Sequence, residues 1–139
     1  MADLSITAAN VLRGSNARVE TGIFGATVTA GQVVYRDASD NNKFKLADCD
    51  SATAAAKIPY GIALNSGSAG QPAAVQIDGD ITIGGTLSPG LPYFLSPNPG
   101  GIGLIAEVAI GDDYTLLGLA SSASVLKLGF LVSGATRAS

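Results

Sequence analysis

The chain has 139 residues, of which 47% are hydrophobic and 14% are charged, and its formal net charge is −3. This length corresponds to about one domain with its own core, and the acidic balance excludes a protein that grips a nucleic-acid backbone, which needs a basic patch. Histidine is absent, so sites that need an imidazole are excluded, while the low charge indicates that other subunits cover part of the surface.

Residues 1–24 are predicted to form an extended N-terminal arm, and residues 25–139 a single β domain. Within the arm, Leu4, Ile6 and Ala8 recur at every second position, which is typical of a short strand. A strand in an arm can pair with the edge of another subunit. The same residues can equally pack on their own domain, and the sequence leaves both possibilities open.

The β domain contains a repeated phrase. TVTAGQVVYRD at 27–37 and TLSPGLPYFLS at 86–96 share one pattern of small, apolar and aromatic residues, 59 positions apart (86 − 27). Further along, after a length change in one loop, the match continues at a separation of 57 (118 − 61), because loops absorb length changes at little cost. The sequence therefore predicts a pseudo-repeat with units over 25–80 and 84–134, and each phrase is predicted to form a hairpin.

Glycine has a backbone reason to be present in both copies of the phrase. SPGL at 88–91 places Pro at the second position of a type II turn and Gly at the third, where φ is positive. TAGQ at 29–32 has the glycine at the same position but Ala in place of the proline. Neither Gly31 nor Gly90 therefore requires a ligand to explain it.

Short runs of β-branched and aromatic residues, with Gly, Pro, Asn or Ser at nearly every junction, favour strands over helices. The predicted strands lie near 26–36, 43–48, 58–64, 73–78, 81–87, 91–96, 102–109, 115–120 and 125–132. Polar residues interrupt the apolar stretch over 115–134, which therefore indicates two strands and a turn and no membrane span. The predicted fold class is all-β: a small β-barrel or sandwich built from two similar hairpin-containing halves, with an extended N-terminal arm.

The residue types that carry chemistry are few, and no catalytic, cofactor-binding or metal-binding residue is predicted. Cys49 is the only cysteine, so an intrachain disulfide is excluded, and we interpret it as a small loop or half-buried residue. The acidic pairs Asp78 with Asp80 and Asp112 with Asp113 offer the carboxylates of a small hydrolase, which is the enzyme alternative. A solvated turn is the favoured interpretation of the first pair.

The segment 37–48 raises the question of a bound cation. Oxygen-bearing side chains stand at its first, third and fifth positions, counted from Asp37, and Asp48 stands at the twelfth, as in a calcium loop. The sixth position is Asn42, where that loop has Gly. Strand signals on both sides favour a polar hairpin loop, with the cation site as the alternative.

One segment departs from the strand pattern. CDSATAAAK at 49–57 is rich in alanine, the best helix former, and predicts one or two helical turns with Asp50 or Ser51 as the N-cap. Pro59 is expected to end it. A plain loop is the alternative, because isolated helices this short are unstable.

Several phrases together are similar to those of a known family. GLPYFLSPNPGGI at 90–102, GQVVYRD at 31–37, KFKLAD at 43–48 and YGIALNSGSAGQPAAVQIDGDITIG at 60–84 resemble the head decoration proteins of tailed bacteriophages. These proteins are also called capsid cement or stabilising proteins. The resemblance covers nearly the whole chain.

The resemblance implies a structural virion protein that binds the outside of the expanded capsid and ties neighbouring subunits together, commonly as a homotrimer. The implied partners are the phage major capsid protein and further copies of the chain, with neither nucleic acid nor membrane. The implied location is the capsid exterior, after assembly in the host cytoplasm. The alternative is a tail-fibre, spike or baseplate module that takes part in host attachment.

The family's capsid contacts are made largely by an N-terminal arm or by the base of the module, and the arm is matched here as Ala2–Val11. Within it, we expect Leu4, Ile6 and Val11 to contact the capsid or a neighbouring protomer. Such a clamp requires no reactive group. By binding the expanded lattice better than the unexpanded one, it stabilises the expanded state by mass action.

Overall fold

Antiparallel strands dominate the computed structural model, which describes residues 4–49, 54–104, 108 and 112–136. Ten strands lie in these residues: β1 (Leu12–Arg13), β2 (Arg18–Ile23), β3 (Val33–Asp37), β4 (Lys43–Leu46), β5 (Gly61–Ala63), β6 (Pro72–Thr82), β7 (Pro92–Leu95), β8 (Ile102–Gly103), β9 (Asp113–Ala120) and β10 (Val125–Thr136). The predicted all-β class is confirmed, and the sheet is a curled antiparallel half-barrel.

Helical structure is limited to short pieces in the described part of the chain. Single 3-10 turns lie at Ala8–Asn10, Ala38–Asp40 and Ala54–Lys57. The last of these agrees with the helical turn predicted before Pro59, while the predicted caps Asp50 and Ser51 lie outside the described residues. No helix among the described residues is long and apolar enough to cross a membrane.

The order of the strands is symmetrical about the β6–β10 pair. It reads β4-β3-β5-β6-β10-β9-β7-β8, and β1 and β2 both pair with β6 outside this path. Leu12–Arg13 and Arg18–Ile23, which lie within the predicted arm, are therefore part of the sheet. Each half repeats one pattern, in which a central strand, β3 or β7, pairs with the next two strands along the chain.

The separations seen in the sequence reappear in the register of the strands. In the first half Val33 pairs with Ile62, and in the second half Pro92 pairs with Leu119. Pro92 stands 59 residues after Val33 (92 − 33), and Leu119 stands 57 residues after Ile62 (119 − 62). The two halves therefore share a backbone arrangement as well as a sequence pattern.

Both glycine turns of the repeated phrase are present. Gly31 has φ of +95° and Gly90 has φ of +84°, and in each turn the fourth amide donates to the first carbonyl, at 3.1 and 3.2 Å. The prediction of a hairpin at these turns is wrong, because the segment before each turn bonds elsewhere. Val28 bridges to Gly67, and the amide of Leu87 donates to a carbonyl of the β9–β10 turn. The hairpins that contain residues of the repeated phrases join β3 to β4 and β7 to β8.

β6 is one strand where the sequence predicts two, near 73–78 and 81–87. Gly79, within the strand, has φ of +88°. Residues before this glycine pair with β2 and β5, and the glycine and the residues after it pair with β1 and β10. The glycine redirects the strand without ending it, because ladder partners continue on both sides. β6 thus joins the two halves.

Two clusters of buried hydrophobic side chains lie on opposite sides of the first half. The larger cluster contains Val33 and Ile62 together with Tyr93 and Ala120 of the second half. The smaller cluster contains Val34, the next residue along β3, with side chains from β4, β5, β6 and the segment after β2. Adjacent residues of a strand point to opposite faces. Both faces of β3 are therefore covered.

Candidate binding surfaces

The N-terminal segment lies on the chain's own sheet. The amide of Leu4 donates to the carbonyl of Ile102 at 2.7 Å, and the amide of Thr7 donates to the carbonyl of Gly84 at 2.9 Å. Ile102 belongs to β8, the last strand of the sheet order, so the segment covers part of a sheet edge. Of the two possibilities left open by the sequence, the structure shows Leu4 and Ile6 packing on their own domain.

Gly31, Gly84 and Gly85 lie directly against this segment. A β-carbon at Gly31 would be 2.5 Å from Cγ2 of Ile6. At Gly84 and Gly85, a β-carbon would be 2.6 Å from carbonyl oxygens of the segment 5–7. Real side chains do not approach this closely. The segment can therefore lie here only because these three positions have no side chain.

A groove of about 290 Å³ remains between the N-terminal segment and two turns of the sheet. Its lining residues are Leu4, Ile6, Thr29, Ala30, Gln32, Pro99, Gly100, Gly101 and Ile102. Val11, the third residue expected to contact a partner, is 7% exposed and belongs to the larger cluster. The structure therefore brings Leu4 and Ile6 together at an open groove and places Val11 in the core. A capsid contact of these residues stays a prediction.

A second surface is the outward side of β7, β9 and β10. Across these strands, Pro92 pairs with Leu119, while Phe94 pairs with Leu116, which pairs in turn with Leu131. Paired residues of antiparallel strands point to the same side of a sheet. These five apolar side chains therefore form one surface, which we call the open face, and Lys127, the partner of Leu119 on β10, lies on the same side.

The open face exposes large apolar side chains. Leu119 is 51% exposed and Leu131 is 62% exposed, while the other three members are half-buried. In the first half, the counterparts of Pro92 and Leu119 are Val33 and Ile62, and both are 0% exposed. The low charge of the sequence indicates that other subunits cover part of the surface, but it does not identify these residues.

A β-bulge at Leu117 determines which residues of β9 face outward. Tyr93 pairs with Gly118, but the next residue, Phe94, pairs with Leu116, so Leu117 has no direct partner on β7. An extra residue of this kind reverses the alternation of the strand. Leu117 is buried as a result, while Leu116 and Leu119 both reach the outer side.

The segment after β3 is a polar hairpin loop whose carboxylates bind a lysine. The ammonium of Lys45 lies 2.8 Å from Asp37 and 3.0 Å from Asp40. The hydrogen bond from Lys45 lowers the pKa of Asp37 from its ordinary 3.8 to about 2, and a bond from Ser39 adds to this. A side-chain cation thus lies where the alternative placed a metal ion. No group of three or more potential metal ligands occurs in the described part of the chain.

The acidic pair of β6 is not in the solvated turn that the sequence predicts. Asp78 and Asp80 flank Gly79 inside the strand, and Asp78 accepts a hydrogen bond from the glycine amide at 2.9 Å. The side-chain amide of Gln76, itself fully buried, donates to the carbonyls of both acids at 3.1 and 2.8 Å. The polar groups around this pair therefore hold the bend of the strand.

The remaining residues considered for chemistry are Cys49 and the second acidic pair. Cys49 is 0% exposed within the larger cluster, and its sulfur lies 3.9 Å from a carboxylate oxygen of Asp112. The side chain of Asp113 lies outside the described part. Cys49 is therefore more deeply buried than its interpretation as a small loop or half-buried residue implies.

A polar cluster that the sequence did not indicate lies over the smaller hydrophobic cluster. The hydroxyl of Tyr60 donates to the carboxylate of Glu20 at 2.5 Å, which raises the pKa of the tyrosine. The guanidinium of Arg36 lies 3.6 Å from the same carboxylate and 4.7 Å from the centre of the Tyr60 ring. These residues are far apart in sequence, so no local motif signals them.

No protein-family model matches the chain, and a search of curated proteins finds no relative. A functional assignment therefore depends on the surfaces described above and on the similarity of the sequence phrases.

Proposed function

We propose that the chain is a structural virion protein that binds the outer surface of a phage capsid and stabilises the expanded head as a homo-oligomer, of which the resemblance favours a trimer. The observation that carries this proposal is the open face, a row of large apolar side chains left uncovered on a domain whose other clusters are closed. Uncovered apolar patches on soluble domains mark surfaces for other proteins. The phage capsid as the partner comes from the resemblance of the sequence phrases.

The proposed mechanism is preferential binding. A protein that binds the expanded lattice more tightly than the unexpanded lattice shifts the equilibrium toward expansion by the difference between the two affinities. Many copies on one shell multiply a modest energy per site. The chemistry needed is adhesion, which the apolar face and the groove can supply.

The N-terminal segment offers a second contact. Leu4 and Ile6 line the groove, and the backbone of Leu4 bonds to the edge strand β8. The groove that remains beside this covered edge can accept an extended segment of a partner. We therefore propose that Leu4 and Ile6 contribute to binding the capsid or a neighbouring protomer.

The direct experiment mixes the purified protein with expanded, emptied phage heads and with unexpanded heads, then sediments both. We expect co-sedimentation with expanded heads and weaker co-sedimentation with unexpanded ones, together with a higher temperature of head disruption. Failure to co-sediment with either form would contradict the proposal. Binding to the host envelope instead would favour the tail-fibre, spike or baseplate alternative.

Point variants test the N-terminal segment better than deletion of 2–11, because deletion also removes Val11 from the core. The double variant Leu4→Asp with Ile6→Asp places charge in the groove, and we expect it to reduce capsid binding by about tenfold or more. The control is Ser5→Asp, at an exposed position of the same segment. Unchanged binding of a folded double variant, verified by circular dichroism, would refute the role of the segment.

A further inference from the structure

We propose that the open face, together with Lys127, is the side of the chain that binds the capsid, and that it recognises an apolar surface of the capsid protein that presents a carboxylate to Lys127. This deepens the proposed function and rests on it for the identity of the partner. The charges on this side of the sheet indicate the chemistry of the contact.

The structure places Lys127 among exposed leucines. It pairs with Leu119 on β9 and with Asp80 on β6. Further along β6, Thr82 pairs with Leu12 of β1, which is 62% exposed. Alternate residues of a strand, and paired residues of neighbouring strands, share one side of a sheet. Exposed leucines therefore lie on both sides of Lys127, so a partner that covers them also covers the lysine.

The positive charge of Lys127 is not neutralised by a neighbour. The ion pairs within the described residues all lie in the first half of the sheet, and Lys127, which is exposed, takes part in none of them. Asp80 stands opposite, but one of its carboxylate oxygens is buried. Gly14 lies so close to it that a β-carbon there would be 3.2 Å from Cβ of Asp80. The ammonium of Lys127 is therefore available to an anion of a partner.

An ammonium that becomes buried at an apolar contact requires an anionic partner. Burying a charge without one is unfavourable, whereas a carboxylate that accepts a hydrogen bond from it offsets the lost hydration. The chain as a whole is acidic, with 11 acidic and 8 basic residues, whereas Lys127 gives this side a positive charge. Complementary charge orients two proteins as they meet. An acidic and apolar partner surface is therefore directed to the open face.

A capsid contact through this side is compatible with the homotrimer favoured above. A three-fold axis perpendicular to the shell presents the same side of all three copies to it. Each copy then brings its own Lys127 to the capsid, and the copies meet one another through other surfaces.

The first test measures affinity for expanded, emptied heads by co-sedimentation over a range of protein and salt concentrations. We expect Lys127→Met to weaken binding by about tenfold, because the carboxylate of the capsid loses its partner, and Lys127→Glu to weaken it further, because like charges repel. The affinity of the wild type should fall more steeply with salt than that of Lys127→Met. Lys127 is exposed, so the variants are expected to fold, and amide NMR spectra verify this.

The matched controls are Lys43→Met and Lys43→Glu. Lys43 lies on β4 in the first half, and its change to Glu gives the same formal net charge as Lys127→Glu, −5 (−3 − 2). We expect both controls to bind heads as the wild type does. The apolar part of the contact is tested by Leu131→Asn, which should weaken binding by about tenfold. Ile23→Asn, at a 40% exposed position of β2, is its control.

A second test identifies the carboxylate directly. A carbodiimide joins a lysine amine to a carboxylate in contact with it, forming an amide while the reagent takes up the released water. We expect the wild-type chain on expanded heads to become linked through Lys127 to an acidic residue of the capsid protein, as located by mass spectrometry of the linked peptides. Lys127→Arg keeps the charge but has no amine, so this link should be absent.

Three results would overturn this inference alone: Lys127 variants that bind heads as the wild type does, Lys43 controls that are weakened equally, or links to the capsid protein that never include Lys127. In each case the chain still binds heads, and the proposed function stands. A wild-type chain that binds neither form of head contradicts the proposed function itself, and this inference with it. The two failures are therefore distinguishable.

Discussion

The two halves of the sheet have the same strand pairing but different surroundings. Val33 with Ile62 and Pro92 with Leu119 occupy equivalent ladder positions, yet the first pair is fully buried and Leu119 is half exposed. The pattern of apolar residues is therefore not a measure of burial within one chain. It shows which surfaces are suited to packing, and the surroundings decide whether they are covered by the same chain.

Two glycines show how close the correspondence of the halves is. A β-carbon at Gly61 would lie 2.6 Å from the carbonyl oxygen of Gln76, and one at Gly118 would lie 2.2 Å from that of Lys127. Both glycines allow the next strand of their own half to approach closely. The halves thus share a backbone requirement at the same position, independent of what covers them.

The largest expected effect comes from truncating equivalent residues in the two halves. Ile62→Ala should lower the free energy of unfolding by about 3 kcal/mol, because a fully buried side chain leaves a cavity. Leu119→Ala should lower it by less than about 1 kcal/mol, because that side chain is half exposed. Urea denaturation at low protein concentration measures both changes. Equal losses would break the comparison by showing that Leu119 is covered within one chain.

A smaller and symmetrical effect is expected at the glycines. Gly61→Ala and Gly118→Ala should each lower the free energy of unfolding by about 2 kcal/mol, because the added methyl group collides with backbone. Gly129→Ala is the control, since a β-carbon there meets nothing within 4 Å. Thermal and urea denaturation measure the changes. A loss in one half alone would show that the halves do not share the close approach of strands.

The glycine turns are expected to differ by the contact with the N-terminal segment. Gly90→Ala should destabilise the fold by about 1 kcal/mol through its positive φ alone, since its surroundings are open. Gly31→Ala carries the same backbone cost and also displaces Ile6. We expect faster amide exchange at Thr7 in Gly31→Ala and unchanged exchange there in Gly90→Ala. Equal exchange in both variants would mean that the position of the N-terminal segment does not depend on the missing side chain at Gly31.

The sequence predicts those parts of the fold that depend on local backbone chemistry. The positive φ at Gly31 and Gly90 follows from turn rules, and the separation between the repeated phrases carries over to the ladder register. Such features require only a few neighbouring residues. They are therefore visible in short stretches of sequence.

Other parts depend on distant partners and were missed for that reason. β2 has the sequence RVETGI, which contains only two apolar side chains, Val19 and Ile23, and it is held by pairing with β6 far along the chain. The bulge at Leu117 reverses the alternation of β9, so the outward position of Leu119 cannot be counted from the strand pattern. The residues of the open face were consequently not predicted by number.

The smallest expected effect concerns a charge cluster that the first half has and the second half lacks. Asp37 and Lys45 have Ser96 and Leu104 as their counterparts, 59 residues later (96 − 37 and 104 − 45). Because the hydrogen bond from Lys45 lowers the pKa of Asp37 to about 2, folding is favoured by the ionised carboxylate above its ordinary pKa of 3.8. That contribution is lost as the pH falls from about 3.8 through about 2.

Lys45→Met removes the main partner of Asp37, so its pKa should rise toward 3.8 in a carboxyl carbon NMR titration. The loss of stability in acid between about 2 and 3.8 should then be shallower than in the wild type. Lys127→Met is the control, because it removes the same charge from β10 in the other half. An unchanged pKa in Lys45→Met would mean that the loop is held by the Ser39 bond to Asp37. The charge difference between the two halves would then have no part in the acid sensitivity of the fold.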